Sequence, residues 1–254
     1  MENSALVGLS AQMALQRQID VIANNVANIN TAGFKTDNMV FQEHLMPVAR
    51  ANQFKGNDRA LSFVLDRATW TDFSLGTIQQ TGNPLDVSID GDAFLTVQTP
   101  RGDRYTRNGA LQINAQGQLV SSEGFPVLGT GGPIVFQPND REISISEDGT
   151  ISVKEGKANT STPRGKLQLA SFDQPQLLQK DGTSTYAAPN NVTPDVPTKV
   201  RISQGTLEKS NVKSIVEMTR LIEVTRAYTQ IASMLQSHSD MRKSAVDKLS
   251  EVPN

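Results

Sequence analysis

Three aspartates that lie close together are the strongest candidates for catalysis or metal binding. Asp86, Asp90 and Asp92 supply carboxylates that could act as a general acid and base or hold a calcium ion. A calcium loop takes its ligands over about twelve residues and ends with a bidentate glutamate, and that pattern is missing here. Asp86 and Asp90 alternate with apolar residues, as the exposed positions of a strand do. We therefore interpret these aspartates as strand-face and turn carboxylates.

The histidines and one glycine-rich stretch give no better site. His44 and His238 belong to no metal-ligand spacing such as H-E-x-x-H. Residues 129–133 (GTGGP) lack the following Lys-Ser/Thr of a phosphate loop, so they are interpreted as a turn. The chain has no cysteine, which excludes thiol nucleophiles, disulfides and cysteine metal sites. No catalytic residue, metal ligand, cofactor or small-molecule substrate is predicted.

Two functions of other classes stay open as alternatives. The first is an enzyme built on the strand-rich middle of the chain. The second is a sugar-binding module, which would need an exposed aromatic platform. The low aromatic content between residues 81 and 207 disfavours that module.

A regular apolar pattern near the N-terminus predicts a helix that faces other helices. Apolar residues recur there at alternating steps of four and three: Leu15, Ile19, Ile22, Val26 and Ile29. A second apolar stripe contains Leu6, Leu9 and Met13. A helix that is apolar on two sides needs more than one neighbour.

The end of this helix is rich in asparagine. Asn24, Asn25 and Asn28 share one side of the helix, although asparagine is a poor residue for a helix interior. Gly33 can supply left-handed cap geometry just beyond, and Phe34 can act as an apolar anchor. Two interpretations stay open: solvated amides at a frayed helix end, or buried amides that fix the register between packed helices.

The middle of the chain changes character twice. Neither the helical nor the strand period holds from residue 36 to 80, which predicts an extended arm or short strands buried against a partner surface, with an ordinary irregular subdomain as the alternative. From residue 81, Leu85, Val87 and Ile89 alternate with polar residues, and a return strand is expected after the turn at Gly91. Many short strands with turn residues between them predict an all-β sandwich or barrel-like domain.

The helical period returns near the C-terminus and persists to about residue 249. One heptad-like line contains Met218, Leu221, Thr225, Tyr228, Ala232 and Leu235, with Val224, Ile231, Met234 and Met241 beside it. The matching stripes at the two ends of the chain favour helix-to-helix contact. We expect both ends to be partly or wholly disordered in an isolated chain and to fold when several chains bring their stripes together.

Charge and hydropathy exclude several kinds of partner. The 254 residues carry a formal net charge of −2 with both signs interspersed, so neither nucleic acid nor an anionic membrane surface is predicted. No apolar run is long enough to span a bilayer, so no direct membrane insertion is expected. The first residues show no pattern of a cleaved secretory signal.

Three motifs, in order along nearly the whole chain, resemble those of the bacterial flagellar basal-body rod and hook proteins. The first is residues 23–35 (ANNVANINTAGFK), and the second is residues 81–91 (TGNPLDVSIDG) with 105–109 (YTRNG). The third begins with residues 210–212 (SNV) and continues through 218–219, 226–228 and 240–241. Ala93 departs from the family pattern, which commonly has glycine there, and the departure affects one turn.

The resemblance implies a structural subunit of the flagellar axial structure. Such a subunit would be exported without a cleaved signal by the flagellar type III apparatus, and its terminal helices would line the inner tube of a rod that crosses the periplasm. Implied partners are other copies of the chain, the related rod proteins FlgB, FlgC and FlgG, and the export apparatus. Within the family, length favours a proximal rod subunit, with the similar distal rod subunit as the alternative.

Together these inferences predict an α+β fold. Residues 1–35 and 209–254 form N- and C-terminal helices paired in a coiled-coil-like helical domain, 36–80 an extended arm, and 81–208 an inserted all-β domain. The expected polymer interface consists of Leu15, Ile19, Ile22, Asn24, Asn25, Val26, Asn28, Ile29, Gly33, Phe34, Met218, Leu221, Val224, Tyr228, Ile231 and Leu235.

Overall fold

Two long helices occupy the two ends of the sequence, and the middle is rich in strands. The structure is a computed structural model that describes residues 2–46, 61–156, 160–189, 192–197 and 199–250, with side chains described except for 2–6, 41–46, 61–68 and 249–250. Helix α1 covers Glu2–Ala27 and helix α2 covers Ser214–Ser250. The predicted α+β class is therefore confirmed.

The helix limits follow from the local sequence. The apolar period continues to Ile29, but α1 ends at Ala27, where the asparagine-rich stretch turns away. Gly33 has φ of +66°, the left-handed conformation expected there, although it lies several residues beyond the end of α1. Helix α2 carries Glu217 in its first turn, where a carboxylate interacts favourably with the helix dipole. Neither helix, within its described residues, is long and apolar enough to cross a membrane.

Eighteen strands are found in the described part of the chain, and most are short. In order they are β1 Asp37–Met46, β2 Leu61–Thr71, β3 Ile78–Gln80, β4 Val87–Asp90, β5 Phe94–Thr99, β6 Gly102–Thr106, β7 Leu111–Ile113, β8 Leu119–Ser121, β9 Leu128–Gly129, β10 Gly132–Pro133, β11 Asp140–Ile145, β12 Thr150–Glu155, β13 Ser161–Lys166, β14 Leu169–Ala170, β15 Gln179–Lys180, β16 Thr185–Ala187, β17 Arg201–Gln204 and β18 Thr206–Glu208. A short 3₁₀ helix, Pro175–Leu177, precedes β15.

The chain divides into two units, and each contains separated pieces of sequence. Unit 1 consists of residues 2–27, 37–46, 61–70 and 213–250 as far as they are described. It contains α1, α2 and the paired strands β1 and β2. Unit 2 consists of residues 28–36 together with 71–212 and contains the remaining strands. The predicted domain limits at residues 35, 80 and 208 stay a prediction.

Unit 2 is built from several small sheets. The largest has the order β14-β5-β6-β16-β15, and a three-stranded sheet has the order β11-β12-β13. The others are the pairs β4 with β17, β3 with β18, β7 with β8, and β9 with β10. The strands described here form no closed barrel, which was one of the two architectures that the turn pattern left open.

The strand after the turn at Gly91 does not return along β4. Instead β5 pairs with β6 and β14, and β4 pairs with β17, where Ile89 lies opposite Ile202. The side chain of Arg107 donates hydrogen bonds to the carbonyls of Ile89 (3.1 Å) and Gly91 (2.7 Å). These hydrogen bonds hold the turn at the point where the chain passes from the sheet of β4 into the sheet of β5.

Two apolar clusters form the core of unit 2. The larger one lies among the inward-facing residues of several sheets: Val87, Ile89, Ala93, Leu95, Val97, Leu111, Leu119, Val127, Ile134, Phe136, Ile145, Ile151, Val153, Leu167 and Ile202. The smaller one is aromatic, with Phe94, Phe172, Tyr105 and Tyr186 in edge-to-face contact. These clusters support the polar residues described below.

Candidate assembly surface and two buried polar clusters

The three aspartates do not form a reactive site. Asp86 is buried and accepts hydrogen bonds from the Thr81 hydroxyl (2.7 Å) and the Asn83 amide (2.9 Å), so it holds the turn before β4. Asp90 and Asp92 are exposed. No group of three or more His, Cys, Asp or Glu side chains within the described ranges is placed to hold a metal ion.

The other residues considered for catalysis or metal binding lie on a helix, in a strand and at a turn. His238 lies half-buried on α2, and the side chain of His44 lies outside those that the structure describes. The glycine-rich residues 129–133 form the turn between β9 and β10, where Gly129 pairs with Gly132. The interpretation of this stretch as a turn is confirmed.

Helices α1 and α2 contact each other within unit 1. Gly8 permits a close approach, because a Cβ atom there would lie 2.8 Å from a methyl carbon of Leu235. Ala14, Ile22 and Val224 are buried in this unit.

The helices also carry many apolar side chains that unit 1 leaves exposed. On α2, Ile215, Met218 and Ile222 follow one another at steps of three and four and share one side of the helix, where Ile215 is 80% exposed. A second side of α2 carries Val216, Met234 and Met241. Leu9 and Met13 on α1 are exposed as well. We call these eight residues the apolar flanks.

The structure places the expected interface residues in three environments. Buried residues are Ile22, Asn25 and Val224 in unit 1, with Gly33 and Phe34 in unit 2. Half-buried residues are Leu15, Ile19, Val26, Asn28, Ile29, Leu221, Tyr228, Ile231 and Leu235, and exposed residues are Asn24 and Met218. Ile215, Val216 and Ile222 were not among the predicted interface residues, although their spacing relative to Met218 and Met234 is visible in the sequence. That these residues contact another subunit stays a prediction.

Asn25 forms the centre of a buried polar cluster in unit 1. Its amide nitrogen donates to the carbonyl of Asp37 (2.9 Å) and to the Glu217 carboxylate (3.1 Å), and its amide oxygen accepts from the Asp37 N–H (3.0 Å). Asn25 thus joins the end of α1 to the start of β1 and the first turn of α2. Asn25 is thus a buried amide, whereas Asn24 is exposed and Asn28 is half-buried.

Lys35, Arg107 and Glu208 form a second buried cluster, in unit 2, which we call the Lys35 cluster. The Lys35 ammonium donates to Glu208 Oε1 (2.5 Å) and to the carbonyl of Ser74 (2.7 Å). Arg107 Nη1 lies 3.5 Å from Glu208 Oε2. The side chains are 0% exposed for Lys35 and 2% exposed for each of the other two.

The Lys35 cluster contains two cationic side chains and one carboxylate. Burial lowers the pKa of the Lys35 ammonium, and the Glu208 carboxylate opposes that shift. Burial likewise lowers the pKa of Arg107, and the Glu208 carboxylate again opposes the shift. The Arg107 guanidinium nevertheless stays charged, as guanidinium groups do in proteins. Glu208 is thus the one carboxylate within the cluster for two cations, while Asp72 also favours the charged form of Lys35, and Asp90 and Asp92 favour that of Arg107.

Backbone contacts surround this cluster. The N–H of Gly33 donates to the carbonyl of Glu208 (2.8 Å), and a Cβ atom at position 33 would overlap the backbone of Arg107. Asn211 accepts hydrogen bonds from the N–H (2.8 Å) and the hydroxyl (2.7 Å) of Thr36. Gly33 is thus required both by its positive φ and by the closeness of Arg107. No role was predicted from the sequence for Arg107 or Glu208.

Family models match three separate parts of the chain. Residues 6–35 match the model described as flagella basal body rod protein. Residues 88–153 match the flagellar hook protein FlgE/F/G D1 domain, and residues 203–248 match the flagellar basal body rod FlgEFG protein C-terminal model. The order of the three is that of the motifs in the sequence.

Full-length relatives agree with these matches. The flagellar basal-body rod protein FlgF of Caulobacter vibrioides is 37% identical over 254 residues, which cover 99% of this chain and 100% of the relative. FlgF of Mesorhizobium japonicum is 34% identical, with 98% of each chain covered. FlgG of Agrobacterium fabrum is 33% identical, with 93% of this chain and 94% of the relative covered. The chain therefore belongs to the family of flagellar basal-body rod proteins and is a structural rod subunit.

Proposed function

We propose that this rod subunit assembles through the apolar flanks of α1 and α2. The observation that carries the proposal is the exposure of Ile215, Met218, Ile222 and their neighbours after the helices have packed against each other. Contiguous exposed apolar surface on a helix is typical of a protein–protein contact. The rod family supplies a setting in which many such helices meet.

The proposed contact is a packing of helices from several subunits in the manner of a coiled coil. Helix α2 presents apolar residues on three sides: one faces α1, and the other two carry the exposed residues of the apolar flanks. A helix with three apolar sides can bury all of them only against more than one neighbouring helix. The expected interface residues that are half-buried, such as Leu221 and Tyr228, lie between these sides and would become fully covered.

The domain organisation proposed for the assembled rod follows the sequence. Residues 1–35 and 209–254 would form the helical domain that lines the inner tube, 36–80 an arm, and 81–208 the outer β domain. Close packing of many terminal helices would give a rigid tube suited to transmitting torque. This division is proposed for the assembled rod, whereas the two units described above are those of the single chain.

The proposed location is the rod where it crosses the periplasm. Partners would be further copies of the chain, FlgB, FlgC and FlgG, and the flagellar type III export apparatus, which would export the chain without a cleaved signal. Two of the relatives carry the name FlgF, so we propose the proximal rod, with a distal rod subunit such as FlgG as the alternative.

Charged substitutions in the apolar flanks test the assembly proposal. Ile215→Glu, Ile222→Glu and Met234→Glu change side chains that are already exposed, so the purified subunit should keep its helix content and melting temperature. Burial of an unpaired carboxylate in a helix-to-helix contact is strongly unfavourable, so incorporation into basal bodies and swimming in soft agar should be lost. Isolated basal bodies with the subunit labelled would show whether it is present.

Val135→Glu is the matched control. Val135 is an exposed valine of unit 2, and its replacement introduces the same charge at a similar exposure. Swimming should persist in this variant. Normal swimming of all three helix variants would refute assembly through the apolar flanks.

A further inference from the structure

We propose that the Lys35 cluster couples two segments at the sequence ends of unit 2, so that loosening either segment releases the other. The first segment, residues 28–36, follows α1 in sequence. The second, residues 206–212, ends at Val212, where unit 2 ends. This inference does not rest on the proposed assembly, because every contact in it lies within one chain.

The two segments are joined by side chains and by backbone. Lys35 and Glu208 are 173 positions apart in sequence and form an ion pair that solvent does not reach. The Gly33 N–H donates to the carbonyl of Glu208, and the Asn211 N–H donates to the carbonyl of Phe34 (3.4 Å). Neither segment keeps these partners if the other leaves.

A third stretch depends on the same carboxylate. Glu208 Oε1 accepts a hydrogen bond from the N–H of Gly76 (2.9 Å), and Lys35 donates to the carbonyl of Ser74. The amide of Asn211 also donates to the carbonyls of Asp72 (2.8 Å) and Ser74 (3.1 Å). The stretch 72–76 is therefore held by both segments at once.

The charge imbalance makes partial opening unfavourable. Departure of the second segment would remove Glu208 and leave Lys35 and Arg107 as two buried cations without their carboxylate. Departure of the first segment would remove Lys35, its hydrogen bonds to Glu208 and Ser74, and the apolar ring of Phe34, which is fully buried. The stable arrangements are therefore both segments in place or both released.

Hydrogen exchange of the full-length protein tests this coupling. Lys35→Met alters only the first segment, yet amide exchange should rise at least tenfold in peptides that contain residues 206–211 and Gly76. Glu208→Gln alters only the second segment, yet exchange should rise at least tenfold in peptides that contain Gly33 and Thr36. In both variants exchange in the peptides of β11–β13 should rise less than in the two segments.

Asp140→Asn is the matched control. Asp140 binds Arg164 through two hydrogen bonds (2.6 and 2.8 Å) in the sheet β11-β12-β13 of the same unit. Its loss should raise exchange in that sheet and leave residues 28–36 at the wild-type rate. If Lys35→Met prevents folding, Thr36→Val offers a milder change, because it removes only the hydroxyl bond to Asn211, and it should still raise exchange in both segments.

Two results would overturn the proposal. In the first, each substitution raises exchange only in its own segment, so the segments open independently. In the second, the sheet β11-β12-β13 opens as much as the two segments do, so the coupling is that of the whole unit and not of the cluster.

Discussion

Replacement of Glu208 should destabilise unit 2 more than replacement of Lys35. Removal of one partner from a buried ion pair costs about 3 to 5 kcal/mol. Glu208→Gln leaves two buried cations, Lys35 and Arg107, so a loss of about 5 kcal/mol is expected, at the upper end of that range. The substituted amide can still accept the hydrogen bond from Gly76.

Lys35→Met leaves a balanced pair of Arg107 and Glu208 and keeps the apolar stem of the side chain. It removes hydrogen bonds from a charged group to Ser74 and Glu208, each worth about 1.5 to 3 kcal/mol. The burial cost of the ammonium, which holds the Lys35 pKa below its usual value, disappears at the same time. The expected net loss is about 2 kcal/mol.

Urea unfolding of the full-length chain measures both values. Near-ultraviolet circular dichroism follows all aromatic side chains, among which the buried Tyr105 and Tyr186 belong to unit 2, while fluorescence of Trp70, the single tryptophan, follows unit 1 alone. The double variant Lys35→Met/Glu208→Gln should lose at least about 1 kcal/mol less than the sum of the single losses, because the two residues interact. A Lys35→Met loss equal to or above that of Glu208→Gln would refute the charge argument.

Three further predictions concern unit 2. Unfolded lysine keeps its proton to about pH 10.4 while folded Lys35 releases it earlier, so wild-type unfolding free energy should rise with pH in that window relative to Lys35→Met, as measured by urea titration. Gly109→Ala should lower the unfolding free energy by about 3 kcal/mol or more, because its Cβ would overlap the carbonyl of Val87. Gly131 has open space around it, so Gly131→Ala should change the unfolding free energy by less than about 0.5 kcal/mol in the same assay. Hydrogen bonding to Arg164 lowers the pKa of Asp140, so the stability that this carboxylate contributes above about pH 3.9 is lost as the pH falls through the lowered pKa. Asp140→Asn should therefore reduce the fall of the unfolding free energy in acid, as measured by urea titration at several pH values.

The elements that obey a local period could be predicted from the sequence. Apolar residues at steps of three and four predict α1 and α2, and the alternation through Val87 and Ile89 predicts β4. These signals depend only on neighbours along the chain. For the same reason the exposed side of α2 was visible in the spacing of Ile215 and Ile222, although the sequence analysis chose other positions.

The pairing partners and the buried charges could not be predicted in this way. Strand β4 pairs with β17, more than one hundred positions later in the sequence, and no turn signal connects them. Lys35 ends one of the family motifs, but no pattern in the sequence links it to Glu208, and only the folded chain brings them together. Gly33 had a local signal for left-handed geometry, but the closeness of Arg107 that also requires glycine had none.

The discontinuous make-up of unit 2 has a consequence for recombining family members. A chimera that takes residues 71–212 from one relative and the rest from another would combine residue 35 of one parent with residue 208 of the other. A crossover design that keeps parental pairs intact must therefore transfer residues 28–36 along with the later block.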